Sequence, residues 1–140
     1  MTYDGKLLAL ARAELDKRKA ANEAEKARRT ALVYSRVPEI ETIDAQLRAQ
    51  MISLVRLTIA RSADLKERIA ALERENLSLQ ARRAELLTAN GYPLDYLDDI
   101  YTCPKCHDTG TYKLAPCECL DRLYNIELTK ELGTLLQHGD

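Results

Sequence analysis

The chain has 140 residues and a net charge of -1, from 21 Lys and Arg against 22 Asp and Glu, so it has no overall basic field for nucleic acid. Its aromatic residues are 7 tyrosines, with no Phe or Trp, which argues against a β-sandwich or barrel and favours helices rich in Ala, Leu, Glu and Arg. The apolar runs are too short to span a membrane and the N-terminus lacks the apolar core of a signal peptide, so we expect a cytoplasmic protein.

Charge divides the chain near residue 92. Residues 1–92 carry 17 basic and 13 acidic side chains, whereas residues 93–140 carry 4 basic and 9 acidic ones. All the cysteines fall in the acidic part. The sequence therefore predicts two domains: a helical hairpin or coiled-coil region over residues 1–92, and a zinc-binding module with a closing helix over residues 93–140.

The first predicted helix covers residues 3–36. Leu7, Ala11 and Leu15 follow helical spacing, but between Asp16 and Thr30 the only apolar side chains are alanines. Such a segment forms a helix readily and offers a poor core face, so its middle is expected to be solvated or to lie against a partner.

Pro38 begins the second predicted helix, because proline fits the first helical turn. Two apolar stripes run along this helix, and a helix that is apolar on two sides is expected to pack between neighbours. The first stripe consists of Ile40, Ile43, Leu47, Met51 and Leu54, and the second of Ile52, Val55 and Ile59.

A third helix is predicted from about residue 64 to residue 90. Its seam has heptad spacing and includes one polar residue, Asn76, of the kind that sets register in coiled coils. Gly91 suits a left-handed C-terminal cap, and Pro93 cannot continue the helix. The short link at residues 61–63 predicts that the second and third helices are antiparallel neighbours. The seam from Leu65 to Leu86 offers a surface for homo-oligomer formation. The other seam residues are Leu65, Ile69, Leu72, Leu79 and Leu86.

The cysteines form one cluster in the sequence: Cys103 and Cys106, then Cys117 and Cys119. Closely spaced thiolates can grip one metal from a tight turn, and four soft ligands without histidine fit structural, tetrahedral Zn(II). Iron fits the ligand type as well, although zinc is the usual occupant of a closed site. Gly110 and Pro116 punctuate the intervening loop as a two-stranded ribbon would require, and residues 120–137 predict a closing amphipathic helix.

Other readings of the cysteines have specific requirements. Two disulfides would need an oxidising compartment, and a redox-active pair would need a thioredoxin-like βαβ pattern, which is absent. His107 could replace a ligand but is expected to be exposed, and Lys105 and Lys113 are expected to stabilise the thiolates by proximity.

Nothing in the sequence supports catalysis. Four cysteines would close the coordination shell, which leaves no open position for hydrolytic chemistry. Asp95, Asp98 and Asp99 are read as solvated or docking charges rather than as metal ligands. A phosphate-binding loop is missing, so we expect no enzyme activity, no catalytic residues and no nucleotide-cofactor site in this chain.

Four segments together resemble the N-terminal domain of bacterial DnaC/DnaI-type replicative helicase loaders. They are Gly91-Tyr92-Pro93-Leu94-Asp95-Tyr96-Leu97, Tyr101-Thr102-Cys103-Pro104-Lys105-Cys106, Asp108-Thr109-Gly110 and Cys117-Glu118-Cys119-Leu120, after a charged helical hairpin. The resemblance covers most of the chain, and the cysteine string with Asp-Thr-Gly is its specific part.

The resemblance implies a DNA replication accessory protein that binds the hexameric replicative helicase, with zinc on the four cysteines. In that family an AAA+ ATPase domain follows, which would lie after residue 140. The alternative is a nucleic-acid-binding zinc ribbon with a coiled-coil oligomerisation region. The acidic charge of residues 93–140 disfavours that alternative, and single-stranded DNA is not a favoured partner of this chain alone.

Overall fold

A computed structural model describes residues 3–138, and for His138 the backbone only. Within this range the chain is mainly helical, with one small antiparallel sheet, as predicted. No helix of these residues is both long and apolar enough to cross a membrane. The elements are α1 (Gly5–Arg36), α2 (Pro38–Ala60), α3 (Leu65–Ala89), β1 (Thr111–Tyr112), β2 (Ala115–Pro116) and α4 (Glu118–His138).

Local chemistry sets most helix ends. The Asp4 carboxylate accepts hydrogen bonds from the backbone N–H groups of Lys6 and Leu7, at 3.0 and 3.1 Å, and so caps α1. Pro38 lies in the first turn of α2, and Gly91 follows α3 with a φ of +81°, as the sequence predicts. Asp64 precedes α3 without capping it, because its carboxylate accepts from Ser62 and Arg68 instead.

The chain divides into two compact units. The cysteine unit comprises the described residues up to Ala27 and from Asp99 onwards, and the helical unit comprises Arg28–Asp98. The boundary therefore differs from the one predicted between residues 92 and 93. The reason is that the first part of α1 packs on the cysteines and on α4 rather than on α2 or α3.

The core of the cysteine unit joins α1, α4 and the cysteine loops. Just before α1, the Asp4 backbone N–H donates a hydrogen bond to the Tyr124 hydroxyl of α4, at 2.8 Å, and so fixes the start of α1 on α4. Tyr3 donates to Asp121, and its ring meets the Tyr124 ring edge to face at 4.7 Å. Besides the four cysteines, the buried core residues are Leu7, Ala11, Leu15, Leu120, Leu123 and Tyr124.

In the helical unit, α2 and α3 pack side by side and run in opposite directions. Early in α2, Glu39 pairs with Arg82 of α3 at 3.0 Å, and further along, Gln50 accepts from the Asn76 amide at 2.8 Å. The predicted seam residues of α3, including Asn76, are all partly buried. The core of this unit is Val33, Val37, Ile40, Leu87 and Leu97.

Only the beginning of α2 is packed as predicted. Ile40 and Ile43 are buried, but burial fades after Gln50, and Met51 and Leu54 are exposed. The second stripe is also exposed within the described chain, so α2 does not lie between two covering neighbours there. Packing against α3 uses one face of α2, and no described segment covers the other.

Candidate metal centre

The four cysteine sulfurs converge on one point. Cys103, Cys106, Cys117 and Cys119 are all buried, and their Sγ atoms lie within 4.8 Å of one another. Across the cluster, the Sγ atoms of Cys103 and Cys117 are 3.7 Å apart, and those of Cys106 and Cys119 are 3.4 Å apart. A tetrahedral metal with bonds of about 2.3 Å places its sulfurs about 3.8 Å apart, so the cluster fits a four-thiolate metal site. None of the four forms a disulfide.

A tight β-hairpin joins the two cysteine pairs, as Gly110 and Pro116 predicted. Thr111 pairs with Pro116 and Tyr112 with Ala115, leaving a two-residue turn of Lys113 and Leu114. The φ angles in the turn are 50° and 65°. Positive φ at both positions is the type I′ geometry, whose twist matches that of the strands. The hairpin therefore returns the chain to the first pair within a few residues.

Gly110 fits between the cysteine cluster and the helices α1 and α4. Its backbone N–H points at Cys106 Sγ, 3.4 Å away, and its carbonyl accepts from the Cys117 N–H at 2.8 Å. Its φ is +82°, and a Cβ added there would lie 2.9 Å from Leu15 Cδ1. Only glycine allows this close approach at this backbone conformation.

Asp108 holds the first cysteine loop closed. Its buried carboxylate accepts from the backbone N–H groups of Thr102 and Cys103, at 3.0 and 2.8 Å, and from the Asn22 amide at 3.1 Å. Burial opposes the charge, but these donors together lower the pKa of Asp108 below its ordinary value. This role of Asp108 was not predicted from the sequence, although its place in the Asp-Thr-Gly phrase, two residues after Cys106, was a signal of it.

The thiols differ in acidity. Chiefly through the backbone N–H of Cys106, the pKa of the Cys103 thiol falls to about 7. Burial, followed by the neighbouring thiols, raises the pKa of Cys119. Four thiols packed this closely resist full ionisation on their own, and a bound cation would compensate their negative charge.

The remaining predicted groups are not members of the cysteine cluster. Asp95, Asp98 and Asp99 are exposed, and Asp99 pairs with Lys26 at 2.5 Å. His107 is exposed as predicted, and its ring stacks on Tyr101 with centroids 4.1 Å apart. The ammonium groups of Lys105 and Lys113 lie 5.8 and 5.4 Å from the centroid of the Tyr112 ring, and Lys105 also pairs with Glu118 at 3.4 Å.

Comparisons with protein-family models, with curated proteins and with solved structures find no match to this chain.

Replacing Asp108 is expected to loosen the metal site. Asp108→Ala leaves the N–H groups of Thr102 and Cys103 without their acceptor, which should lower the free energy of unfolding by about 1 to 3 kcal/mol. Metal affinity should fall about 10- to 100-fold, as for other residues that support metal ligands. Competition with a chromogenic chelator measures the affinity. Asp99→Ala, which removes an exposed carboxylate of the same unit, is the matched control, and equal affinities for both variants would contradict the role given to Asp108.

Proposed function

We propose that this chain is a zinc-stabilised, non-catalytic adaptor that binds a replicative DNA helicase during DNA replication. The observation that carries the proposal is that the Asp-Thr-Gly phrase and the four cysteines, which carry the resemblance to helicase loaders, are used together. The Asp108 carboxylate accepts a hydrogen bond from the Cys103 N–H, and the Gly110 N–H donates to Cys106 Sγ. The residues of the motif therefore contact one another and stabilise a single site.

Zinc is the metal we propose for the site. The donor set is four sulfurs with no oxygen or nitrogen, and the cluster is buried. Soft thiolates in a closed tetrahedral arrangement favour Zn(II) over hard cations such as Mg²⁺ or Ca²⁺. Such a site contributes stability rather than chemistry, which agrees with an adaptor. We also propose that α2 and α3 form an antiparallel coiled coil along the Asn76 seam.

The hairpin tip is the helicase contact that we propose. Leu114 is fully exposed, at 101% of its reference area, and Tyr112 is 38% exposed beside it. A leucine at positive φ costs about 1 to 2 kcal/mol relative to glycine, and Leu114 gains no burial within the unit in return. A strained, solvent-facing leucine beside a tyrosine is suited to anchor a partner, because interface energy concentrates in a few such side chains.

Substitutions in this turn are expected to separate stability from binding. Leu114→Gly should raise the stability of the cysteine unit by about 1 kcal/mol by relieving the positive φ, yet weaken helicase binding by about 1 to 2 kcal/mol. Lys113→Asn, at the neighbouring turn position, should stabilise similarly and leave binding nearly unchanged. Thermal melts and calorimetric titration of the purified helicase measure the two effects.

The same titration tests the function itself. Binding of the whole chain to the helicase, with and without nucleotide, supports the adaptor. If the chain does not bind the helicase but binds single-stranded DNA at physiological salt, the adaptor proposal is wrong. The alternative, a nucleic-acid-binding zinc ribbon, then replaces it. A steep loss of DNA binding with rising salt would identify phosphate contacts as the cause.

A further inference from the structure

The second half of α2 presents a large apolar surface that the described chain leaves uncovered. Met51, Ile52, Val55 and Ile59 are between 57 and 75% exposed. Positions 51, 55, 52 and 59 lie on one side of the helix, since four residues advance it by little more than a turn. Exposed apolar side chains that are contiguous in this way mark interaction sites in soluble proteins.

A groove between α2 and α3 adjoins this surface. It has a volume of about 260 Å³ and is lined mainly by apolar side chains, among them Met51, Leu54 and Leu72. Met51 belongs both to the groove and to the exposed stripe. The groove and the stripe are therefore neighbours on one continuous face of the helical unit.

One buried polar atom in this groove has no partner. Gln50 is 93% buried and accepts from Asn76, but its Nε2 donates to nothing within the described residues. An unpaired buried amide N–H is costly, so native proteins almost always satisfy it. A hydrogen-bond acceptor entering the groove from outside the described chain would remove that cost.

The charges along α2 favour a second copy of the chain as the occupant of this face. Residues 38–49 carry three acidic side chains and one arginine, whereas residues 50–61 carry two arginines and no acid. Glu39 and Asp44 already pair with Arg82 and Arg83 of α3. Arg61 directly follows the last residue of α2, and Glu41 near its start is exposed. Two copies of α2 laid antiparallel bring Glu41 of each copy to the level of Arg61 of the other. Arg28–Asp98 as a whole has nearly balanced charge, so two copies do not repel one another strongly.

We infer that this face binds a second copy of the chain: two α2–α3 pairs associate through antiparallel α2 helices into a four-helix bundle. A two-fold axis near Met51 seats the stripe of each copy over the groove of the other. It also offers the Gln50 Nε2 an acceptor on the second copy. Isologous pairing of this kind closes on itself and gives a dimer. The inference goes beyond the proposed function and does not rest on it.

Sedimentation equilibrium of the whole chain, without helicase, tests the inference. The mass should approach twice 15.8 kDa as the concentration rises into the micromolar range. Val55→Glu should raise the dissociation constant of the dimer at least 100-fold. Because Val55 is 57% exposed, the monomeric variant should keep the circular dichroism spectrum and the melting temperature of the monomeric parent chain. Leu114→Glu, at the most exposed leucine of the cysteine unit, is the matched control and should dimerise like the parent chain.

A charge swap tests the antiparallel direction. With the axis near Met51, Glu41 of one copy lies at the same level as Arg61 of the other. Glu41→Arg and Arg61→Glu should each weaken dimerisation about 10-fold, and an equimolar mixture of the two variants should recover it. A parallel pair places like charges together already, so the single variants would then bind as the parent does, and the antiparallel arrangement would be wrong.

Two results would overturn the inference. One is a chain that stays monomeric up to about 100 µM, a concentration well above the micromolar dissociation constant expected for the dimer. The other is a dimer that Val55→Glu leaves intact. If the chain is monomeric and Val55→Glu instead abolishes helicase binding, the helicase covers this face and the second copy does not. A Leu114 variant that no longer binds the helicase should still form the dimer. Failure of the proposed helicase contact therefore leaves the dimer proposal standing, and the reverse also holds.

Discussion

Purified without added metal, the chain is expected to carry about one equivalent of zinc, and chelating that metal is expected to unfold the cysteine unit. Four of the ten buried residues of its core are the cysteines themselves. Without a cation, these thiols would have no metal–sulfur bonds to hold the two cysteine loops together. Structural zinc contributes about 10 to 16 kcal/mol in small domains, which is as large as the whole stability of a typical protein.

Hydrogen exchange with and without chelator measures this effect in each unit separately. Amides around Leu7, Leu15 and Leu120 should lose protection, while those around Ile40 and Leu87 should keep it, because the helical unit has its own core. Metal analysis by mass spectrometry identifies the ion.

Cys103→Ser should reproduce the effect of the chelator, because serine is a poor ligand for zinc. Ala115→Ser, an exposed position on β2, is the control and should bind metal normally. Two disulfides in the purified protein with no metal, or full protection after chelation, would show that the cluster is not a metal site.

Gly110→Ala is expected to destabilise the cysteine unit by about 2 to 4 kcal/mol, the second largest effect. The alanine must adopt a φ of +82°, and its Cβ would lie 2.9 Å from Leu15 Cδ1. Leu15 has little room to retreat, since it is 3% exposed in the core that contains the cysteines. A thermal melt of the metal-loaded protein measures the loss.

Gly133→Ala is the matched control in the same unit. Gly133 lies within α4, and a Cβ added there meets nothing within 4 Å. Alanine should therefore raise the stability by about 0.5 to 1 kcal/mol through its better helix propensity. If Gly110→Ala melts at as high a temperature as Gly133→Ala, the close approach of Leu15 to Gly110 does not limit the residue at position 110, and the prediction is wrong.

Local patterns in the sequence were sufficient for the secondary structure and for the candidate ligands. Pro38 and Gly91 mark helix ends because their backbone preferences act over a few residues. The hairpin between the cysteine pairs follows from Gly110 and from the short loop. The four cysteines could be assigned to one cluster because two closely spaced pairs of thiols, joined by a short loop, are typical of metal sites.

Tertiary packing decided what each apolar stripe meets. Leu7 and Leu15 were visible as a helical stripe, but their spacing does not say that they cover the cysteines, so the predicted boundary near residue 92 differs from the compact units. Val55 belonged to a stripe expected to be packed and is exposed. Helical periodicity specifies only which residues share a face. The partner of that face depends on contacts between residues far apart in the chain, as with Asp108 and Asn22, which no local pattern encodes.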